Sequence, residues 1–140
     1  MKNICFAIAV LFLVACSSDD DSNTSNELQF EAIESTIITG TWQVNNYTDE
    51  EGNRTDLFES FVFTFQESGV AVAQNDILSQ PGDWLYDTTS GVEEFELDFE
   101  MQQPFGRITE DWDIVSATAT EVVLTDVDGN ETKSLTFIKI

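Results

Sequence analysis

The sequence contains no histidine, and only 5 of its 140 residues are lysine or arginine. Without an imidazole, the chain lacks the side chain that most often acts as a base at neutral pH. Its serine and threonine hydroxyls therefore have no histidine to activate them as nucleophiles. Neighbouring carboxylates such as Glu93 and Glu94 point to opposite faces of a strand, so they would not converge on a glycosidic bond. We therefore expect that the protein is not an enzyme and carries no cofactor.

Positive charge is scarce throughout the chain. Twenty-seven acidic residues outweigh the five basic ones, which gives a formal net charge of −22. Because a nucleic-acid-binding surface needs a basic patch, nucleic acid is excluded as a partner. The negative surface favours cationic partners and divalent ions, or it serves solubility and export. Solubility and export are the preferred explanation, and no metal ligands are predicted.

Cysteine is also rare, and Cys5 and Cys16 are the two that the chain has. Residues 1–3 carry a positive charge, residues 4–14 are almost wholly apolar, and Ala15 is small. This order is typical of a secretory signal peptide. The apolar run is shorter than the roughly 20 residues that a transmembrane helix needs. If Cys5 is removed with the signal, the mature chain has no pair of cysteines for an internal disulfide.

The end of this apolar run, Leu13-Val14-Ala15-Cys16, resembles the lipobox of bacterial lipoproteins, where cleavage falls before a cysteine that carries lipid. Two inserted acyl chains are sufficient for stable anchoring. The resemblance implies that residues 1–15 are a lipoprotein signal peptide and that lipid on Cys16 binds the membrane. The serines and aspartates that follow resemble the tract that sends some Gram-negative lipoproteins to the outer face of the outer membrane. The expected location is therefore the outer membrane, lipid-anchored and exposed at the cell surface.

The next segment, residues 16–26, has no apolar residue beyond the anchor and predicts an acidic, flexible tether. The folded domain is expected at residues 27–140. Its first part favours a short helix, because Asn26 is a suitable N-cap and Ile33 and Ile37 fall near one helical face. An edge strand in the same place is the alternative.

From Ile38 onward, apolar residues recur with a period of two, which predicts about eight strands. The clearest alternation runs from Phe95 to Met101, and a loop is expected at residues 75–82. The links are too short for the crossovers of parallel strands, so all pairing should be antiparallel. We predict an all-β, up-and-down, eight-stranded barrel, with a sandwich as the alternative. The residues expected to face inward are Trp42, Phe61, Phe63, Phe65, Trp84, Phe95, Phe99, Trp112 and Phe137.

The first strand begins with Gly40-Thr41-Trp42, which resembles the Gly-x-Trp signature of lipocalins. Further matching segments are residues 61–69, 112–115 and 122–124. The likeness implies a lipocalin-like barrel in which Trp42 closes one end and Gly40 allows close backbone packing. Lys139 would take the place of the arginine that stacks on this tryptophan in lipocalins. The chain departs from classical lipocalins because it lacks a clear Thr-Asp-Tyr segment.

Lipocalins generally hold a small apolar molecule in the barrel, so the resemblance implies a binding module for such a ligand. An eight-stranded barrel either holds one small ligand or is filled by side chains, and the bulky inward set favours filling. If a cavity exists, Trp84, Tyr86 and Trp112 are its candidate ligand-lining residues. The alternatives are an accessory module with a filled core that binds an envelope protein, or an inhibitor of a secreted hydrolase. An exposed apolar patch around Ile77-Leu78 or Pro104-Phe105 would favour these alternatives.

Two short motifs allow more than one interpretation. Residues 126–131 resemble half of a calcium loop, but Phe137 stands where the twelfth position needs a bidentate acid, so a hairpin turn at Asp128-Gly129 is favoured. Asp87-Thr88-Thr89 resembles an O-glycosylation acceptor of some exported bacterial proteins. Three-residue patterns are common by chance, and an ordinary turn that needs no glycan is the favoured interpretation.

Overall fold

The computed structural model describes residues 33–100 and 102–140. The predicted signal peptide, Cys16, the predicted tether and the proposed N-cap Asn26 therefore lie outside the described residues. Residues 33–37 are helical, and Ile33 and Ile37 are both buried, as expected for one apolar face. Within the described ranges, no helix has the length and apolar character needed to cross a membrane.

Nine antiparallel strands follow this helix in the described part of the chain. They are β1 (Trp42–Asp49), β2 (Gly52–Asn53), β3 (Val62–Phe65), β4 (Val70–Gln74), β5 (Ser79–Asp87), β6 (Glu94–Asp98), β7 (Glu110–Ala117), β8 (Glu121–Asp128) and β9 (Glu131–Lys139). Single 3₁₀ turns lie at Thr55–Leu57, before β3, and at Phe105–Arg107, between β6 and β7.

The sheet closes into a barrel because β1 pairs with both β3 and β9. The β1–β9 pairing runs from Trp42 opposite Lys139 to Thr48 opposite Ser134. The remaining strands pair in sequence order, and the two-residue β2 is an addition at the end of β1. The predicted all-β, up-and-down, eight-stranded barrel with a short N-terminal helix is therefore confirmed, and the sandwich alternative is wrong.

The period of two correctly identifies the inner face of the barrel. Burying large aromatic side chains supplies most of the apolar surface that stabilises such a core. All nine residues predicted to face inward are buried: Trp42, Phe61, Phe63, Phe65, Trp84, Phe95, Phe99, Trp112 and Phe137.

Two predicted boundaries are wrong. The loop expected at residues 75–82 ends earlier, because β5 already begins at Ser79. Gly82 lies within this strand, where a Cβ would come within 2.5 Å of the Asp98 carbonyl oxygen, so the position requires glycine for close packing. The strand predicted to run from Phe95 to Met101 ends at Asp98, because Glu100 takes a positive φ of 56° and turns the chain.

The up-and-down path gives the barrel two distinct ends. At the helix end lie the residue 33–37 helix, the start of β1 and the end of β9. At the far end lie the connections β1–β2, β4–β5, β6–β7 and β8–β9. Different side chains close the two ends. Their packing determines whether a ligand can enter the barrel.

Candidate functional site

Aromatic rings occupy the middle of the barrel. The Phe63 ring centre lies 5.3 Å from that of Phe137 and 6.0 Å from that of Phe99, with the ring planes nearly perpendicular. Phe65 makes similar edge-to-face contacts with Phe95, at 5.7 Å, and with Phe137, at 5.6 Å. Such pairs contribute about 0.5–1.5 kcal/mol each beyond their buried area. The chain's own side chains therefore occupy the space where a hollow barrel holds its ligand.

Trp42 seals the helix end. Its Nε1 donates a 2.8 Å hydrogen bond to the Ile37 carbonyl oxygen, which ties the helix to the barrel. The Lys139 Nζ lies 4.8 Å from the Trp42 ring centre and 3.1 Å from the Thr39 Oγ1, to which it donates. Gly40 has a φ of +79°, a conformation that glycine adopts without strain. Lys139 thus occupies the stacking position over Trp42 that the lipocalin resemblance implies.

Phe105 fills the far end. It belongs to the 3₁₀ turn between β6 and β7 and is fully buried. Its ring centre lies 4.9 Å from that of Phe61 and 5.5 Å from that of Phe99, with Phe58 and Phe63 at 6.4 Å. The prediction that an exposed apolar patch could include Phe105 is wrong, because the loop folds this ring into the barrel.

An ion pair fixes the Phe105 turn against β1. The Arg107 Nη1 lies 2.7 Å from an Asp49 carboxylate oxygen, and its Nη2 lies 3.0 Å from Glu51. The Asp49 side chain is only 5% exposed. The hydrogen bond with Asp49 raises the pKa of the Arg107 guanidinium above its ordinary value. Tyr47 adds a 2.9 Å hydrogen bond from its hydroxyl to the Arg107 carbonyl oxygen, and burial, followed by the Asp49 charge, raises the pKa of that hydroxyl.

Replacing Arg107 with glutamine is expected to lower the free energy of unfolding by about 1.5–3 kcal/mol, because it removes the charged partner of a nearly buried carboxylate. Urea unfolding followed by circular dichroism measures the change. Arg54→Gln is the matched control: Arg54 binds the same Glu51 at 2.6 Å on a more exposed surface, so its loss should cost about 0.2–1 kcal/mol. Equal losses in the two variants would contradict the special role of the Asp49 pair.

The other basic residues are held by intramolecular partners as well. The Lys133 ammonium binds Glu110 and lies 3.6 Å from an Asp126 carboxylate oxygen. Burial lowers the pKa of Lys133, but the hydrogen bond to Glu110 and the nearby carboxylate charges raise it more, so it stands above its ordinary value. The described ranges contain four basic residues, Arg54, Arg107, Lys133 and Lys139, and each of them has a partner within the chain.

Two of the candidate ligand-lining residues, Trp84 and Trp112, are buried and bonded within the chain. Trp84 is 7% exposed and donates from Nε1 to the Gln66 carbonyl oxygen at 2.9 Å. Trp112 is fully buried and donates in the same way to Ile108 at 3.0 Å. In the strand pairing, Phe95 stands between Tyr86 and Trp112. Burial, with a contribution from a nearby glutamate, raises the pKa of Tyr86 to about 12.

Trp84 instead borders two hollows at the protein surface, of about 400 and 350 Å³. The larger one lies across β5, β6 and β7, where Leu85 is flanked by carboxylates. The smaller one lies between the helix and the β3–β4 turn, with Glu34 and Glu67 at its border. Both hollows therefore combine an apolar surface with acidic side chains.

An acidic group on the outer face of β5 and β6 escaped the sequence analysis. Carboxylate oxygens of Asp87, Glu94 and Glu96 lie within 4.8 Å of one another. Desolvation, followed by the charges of Asp111 and Asp87, raises the pKa of Glu96. The sequence contained an indication of this acidic group, because Asp87 and Glu94 directly flank the β5–β6 turn and pair across it. Exposed carboxylates of this kind are typical of a solvated acidic face, and no further observation at this place indicates a metal ion.

The β4–β5 connection presents an apolar tip at the far end. Ile77 is 96% exposed and Leu78 is 43% exposed. The Asn75 Oδ1 accepts hydrogen bonds from the backbone N–H of Ile77 at 2.9 Å and of Leu78 at 2.8 Å. The Asn75 Nδ2 donates to the Ser60 hydroxyl at 3.2 Å. This tip is the exposed apolar patch at Ile77-Leu78 that would favour a protein-binding role, and its anchoring by Asn75 was not predicted.

The calcium-like motif forms a tight turn. Asp128 pairs with Glu131 at the end of the β8–β9 hairpin, and Gly129 between them has a φ of +62°. The preferred prediction of a hairpin turn is therefore confirmed.

The tripeptide Asp87-Thr88-Thr89 lies at the end of β5. The Thr89 backbone N–H and hydroxyl donate to the Asp87 carboxylate at 2.7 and 2.9 Å, and these bonds lower the pKa of Asp87. The Thr88 side chain is exposed. The turn is locally stable as an Asx turn, and a glycan on it stays a prediction.

Comparison with known proteins finds likeness at the level of structure. A DUF4847 family protein from Bacteroides vulgatus superimposes with a TM-score of 0.54 and 14% sequence identity, over 76% of this chain and 96% of that one. An uncharacterized protein from Bacteroides eggerthii gives a TM-score of 0.45 and 16% identity, over 74% of this chain and 99% of that one. No protein-family model and no curated protein matches the sequence. At this identity, the first likeness concerns the barrel fold alone, and this chain shares that fold with the Bacteroides vulgatus protein.

Proposed function

We propose that this chain is a lipid-anchored lipoprotein of the outer membrane, exposed at the cell surface, whose barrel is a non-enzymatic module that binds another envelope protein. The observation that carries this proposal is the contrast between a barrel filled by its own rings and an exposed apolar tip. Phe105 closes the far end, while Ile77 stands almost fully in solvent. A filled interior leaves the outer surface as the place of recognition.

The hydrogen bonding of the core supports a filled interior. Trp42, Trp84 and Trp112 each donate their indole N–H to a backbone carbonyl of the chain itself. Buried indoles satisfied in this way need no polar group from a ligand. Because protein interiors are close-packed, each of these buried rings would also be costly to displace.

A lipid anchor at Cys16, if present as proposed, would place the partner in the cell envelope. Cys16 precedes the described domain, and the chain enters that domain through the residue 33–37 helix. The anchor would therefore attach the barrel to the membrane through its helix end. Ile77 lies at the opposite end of the barrel, away from this attachment.

A small apolar ligand is the second candidate. The specific observation in its favour is the pair of surface hollows that Trp84 borders, since volumes of about 400 and 350 Å³ fall in the range of ligand pockets. Such a ligand would lie against the outside of the barrel rather than within it. An inhibitor of a secreted hydrolase would be a special form of the first candidate, with the tip presented to an active site.

Intrinsic tryptophan fluorescence distinguishes the two candidates. We expect the emission of the mature protein to stay unchanged when fatty acids and 1-anilinonaphthalene-8-sulfonate are titrated to high micromolar concentration. A saturable shift would contradict the proposal and favour the small ligand. Trp84→Phe is the matched variant. If the unmodified protein shows the shift and Trp84→Phe does not, the ligand binds in the hollows beside Trp84.

A further inference from the structure

The tip at Asn75–Leu78 is held in one conformation before any partner binds. The Asn75 side chain bonds to two backbone N–H groups, and its backbone N–H donates to the Leu78 carbonyl oxygen at 2.8 Å. The Asn75 Nδ2 also donates a hydrogen bond to the hydroxyl of Ser60, which precedes β3. Exposing an apolar side chain on such a fixed turn reduces the entropy lost on association. The fixed conformation of its turn distinguishes Ile77 from the isolated apolar residues that occur on most protein surfaces.

A recess lies directly beside the exposed isoleucine. It has a volume of about 480 Å³. Its border consists of Ser60, Val62, Gln74, Asn75, Asp76 and Ile77. The surface therefore offers a projecting apolar side chain and a recess next to it. A partner can accept Ile77 in a pocket of its own and place a side chain in this recess.

The negative charge of this surface restricts the class of protein that can bind to it. Asp76 is exposed at the tip and forms no ion pair with any described residue. The basic residues of the described ranges are engaged elsewhere, so the tip carries negative and neutral groups. A second copy would bring the same Asp76 and the same net charge of −22, which opposes self-association. A partner with lysine or arginine next to an apolar pocket complements both features.

We infer that the tip at Ile77, with the recess beside it, is the docking surface for a basic segment of another cell-envelope protein. This inference rests on the proposed function and adds the surface and the chemistry of the partner. Ile77 supplies the apolar anchor, and Asp76 pairs with a lysine or arginine of the partner. This surface lies at the end of the barrel opposite the helix through which the chain enters the domain, so attachment through Cys16 would not cover it.

Site-specific photocrosslinking in native cells tests the inference. Gln74 of the full-length chain, an exposed residue at the border of the recess, is replaced by the photoreactive residue p-benzoylphenylalanine, and the adduct is mapped by peptide mass spectrometry. Val127 and Leu85, which are 60% and 53% exposed on other strands, are the control positions. We expect one dominant adduct from position 74, to a peptide that contains lysine or arginine beside apolar residues, and none from the two controls.

The mapped peptide is then synthesised and its affinity for the lipidated protein in nanodiscs is measured. Ile77→Asp should weaken binding at least tenfold. Asp76→Asn should weaken binding severalfold and make it less sensitive to salt, because one charge pair is lost. Val127→Asp is the matched control and should leave the affinity unchanged. All three positions are exposed, so the fold should tolerate these changes.

Four outcomes would each overturn the inference: an adduct with a second copy of this chain, an adduct to an acidic peptide, no adduct from position 74, or unchanged affinity in the Ile77→Asp variant. An adduct from position 85 or 127 alone would reject this surface and leave a protein-binding function standing. Absence of protein adducts at every position, together with a saturable tryptophan response to an apolar molecule, would reject the proposed function too.

Discussion

Replacing Trp42 with alanine is expected to lower the free energy of unfolding by about 3–5 kcal/mol, because the ring is fully buried and the substitution leaves a large cavity. The variant also loses the hydrogen bond to Ile37 and the contact with the Lys139 ammonium. Urea unfolding followed by far-ultraviolet circular dichroism measures the change without depending on tryptophan emission.

Two control variants separate the parts of this effect. Trp42→Phe keeps an aromatic ring but removes the indole donor, so its cost should be clearly smaller. Lys139→Gln keeps the ring and removes the cation, which should cost about 0.5–2 kcal/mol. A Trp42→Ala cost below about 1 kcal/mol would show that Trp42 does not close the helix end of the barrel.

Replacing Cys16 with serine is expected to release the protein from the membrane fraction or to leave it unprocessed. Serine cannot form the thioether that carries diacylglycerol, and each inserted acyl methylene contributes about 0.8 kcal/mol to membrane binding. Fractionation after a high-pH wash, with radiolabelled palmitate as a second readout, measures the effect.

Cys5→Ser is the matched control, because it makes the same chemical change within the predicted signal peptide. It should leave both membrane association and palmitate labelling intact. If the Cys16→Ser protein is processed and still remains with the membrane, lipid at this position is not what anchors the chain.

The barrel was predictable because apolar and polar residues alternate in most of its strands. Phe61, Phe63 and Phe65 occupy every second position, as do Phe95 and Leu97, and all five are buried. Since successive strand residues point to opposite faces, such runs define the inner wall before any pairing is known. The short links between the runs then require antiparallel neighbours.

The far end was not predictable in the same way. The loop after β6 has no periodicity, so nothing local indicates that Phe105 turns into the barrel. The Asp49–Arg107 pair joins residues 58 positions apart, and only the closed fold brings them together. The sequence pattern places Gly82 in a loop, whereas the structure places it within β5, where it allows close approach to the backbone at the end of β6.

The candidate surface was predictable in part. The sequence pointed to Ile77 and Leu78 as apolar residues in a polar loop, and the structure places both in solvent. The hydrogen bonds of Asn75 depend on the turn geometry of the β4–β5 hairpin. The recess depends on the position of Ser60, which precedes β3 and comes close only through the fold.

The most direct test of the proposed function, a barrel that binds a protein rather than a small molecule, is the mass of the intact protein, purified from its native membrane under non-denaturing conditions. The account predicts a mass equal to that of the processed, lipidated chain, both before and after unfolding. A stoichiometric small molecule that stays bound to the folded protein and leaves on unfolding would contradict it. That result would move the search for function from the Ile77 tip to the hollows beside Trp84.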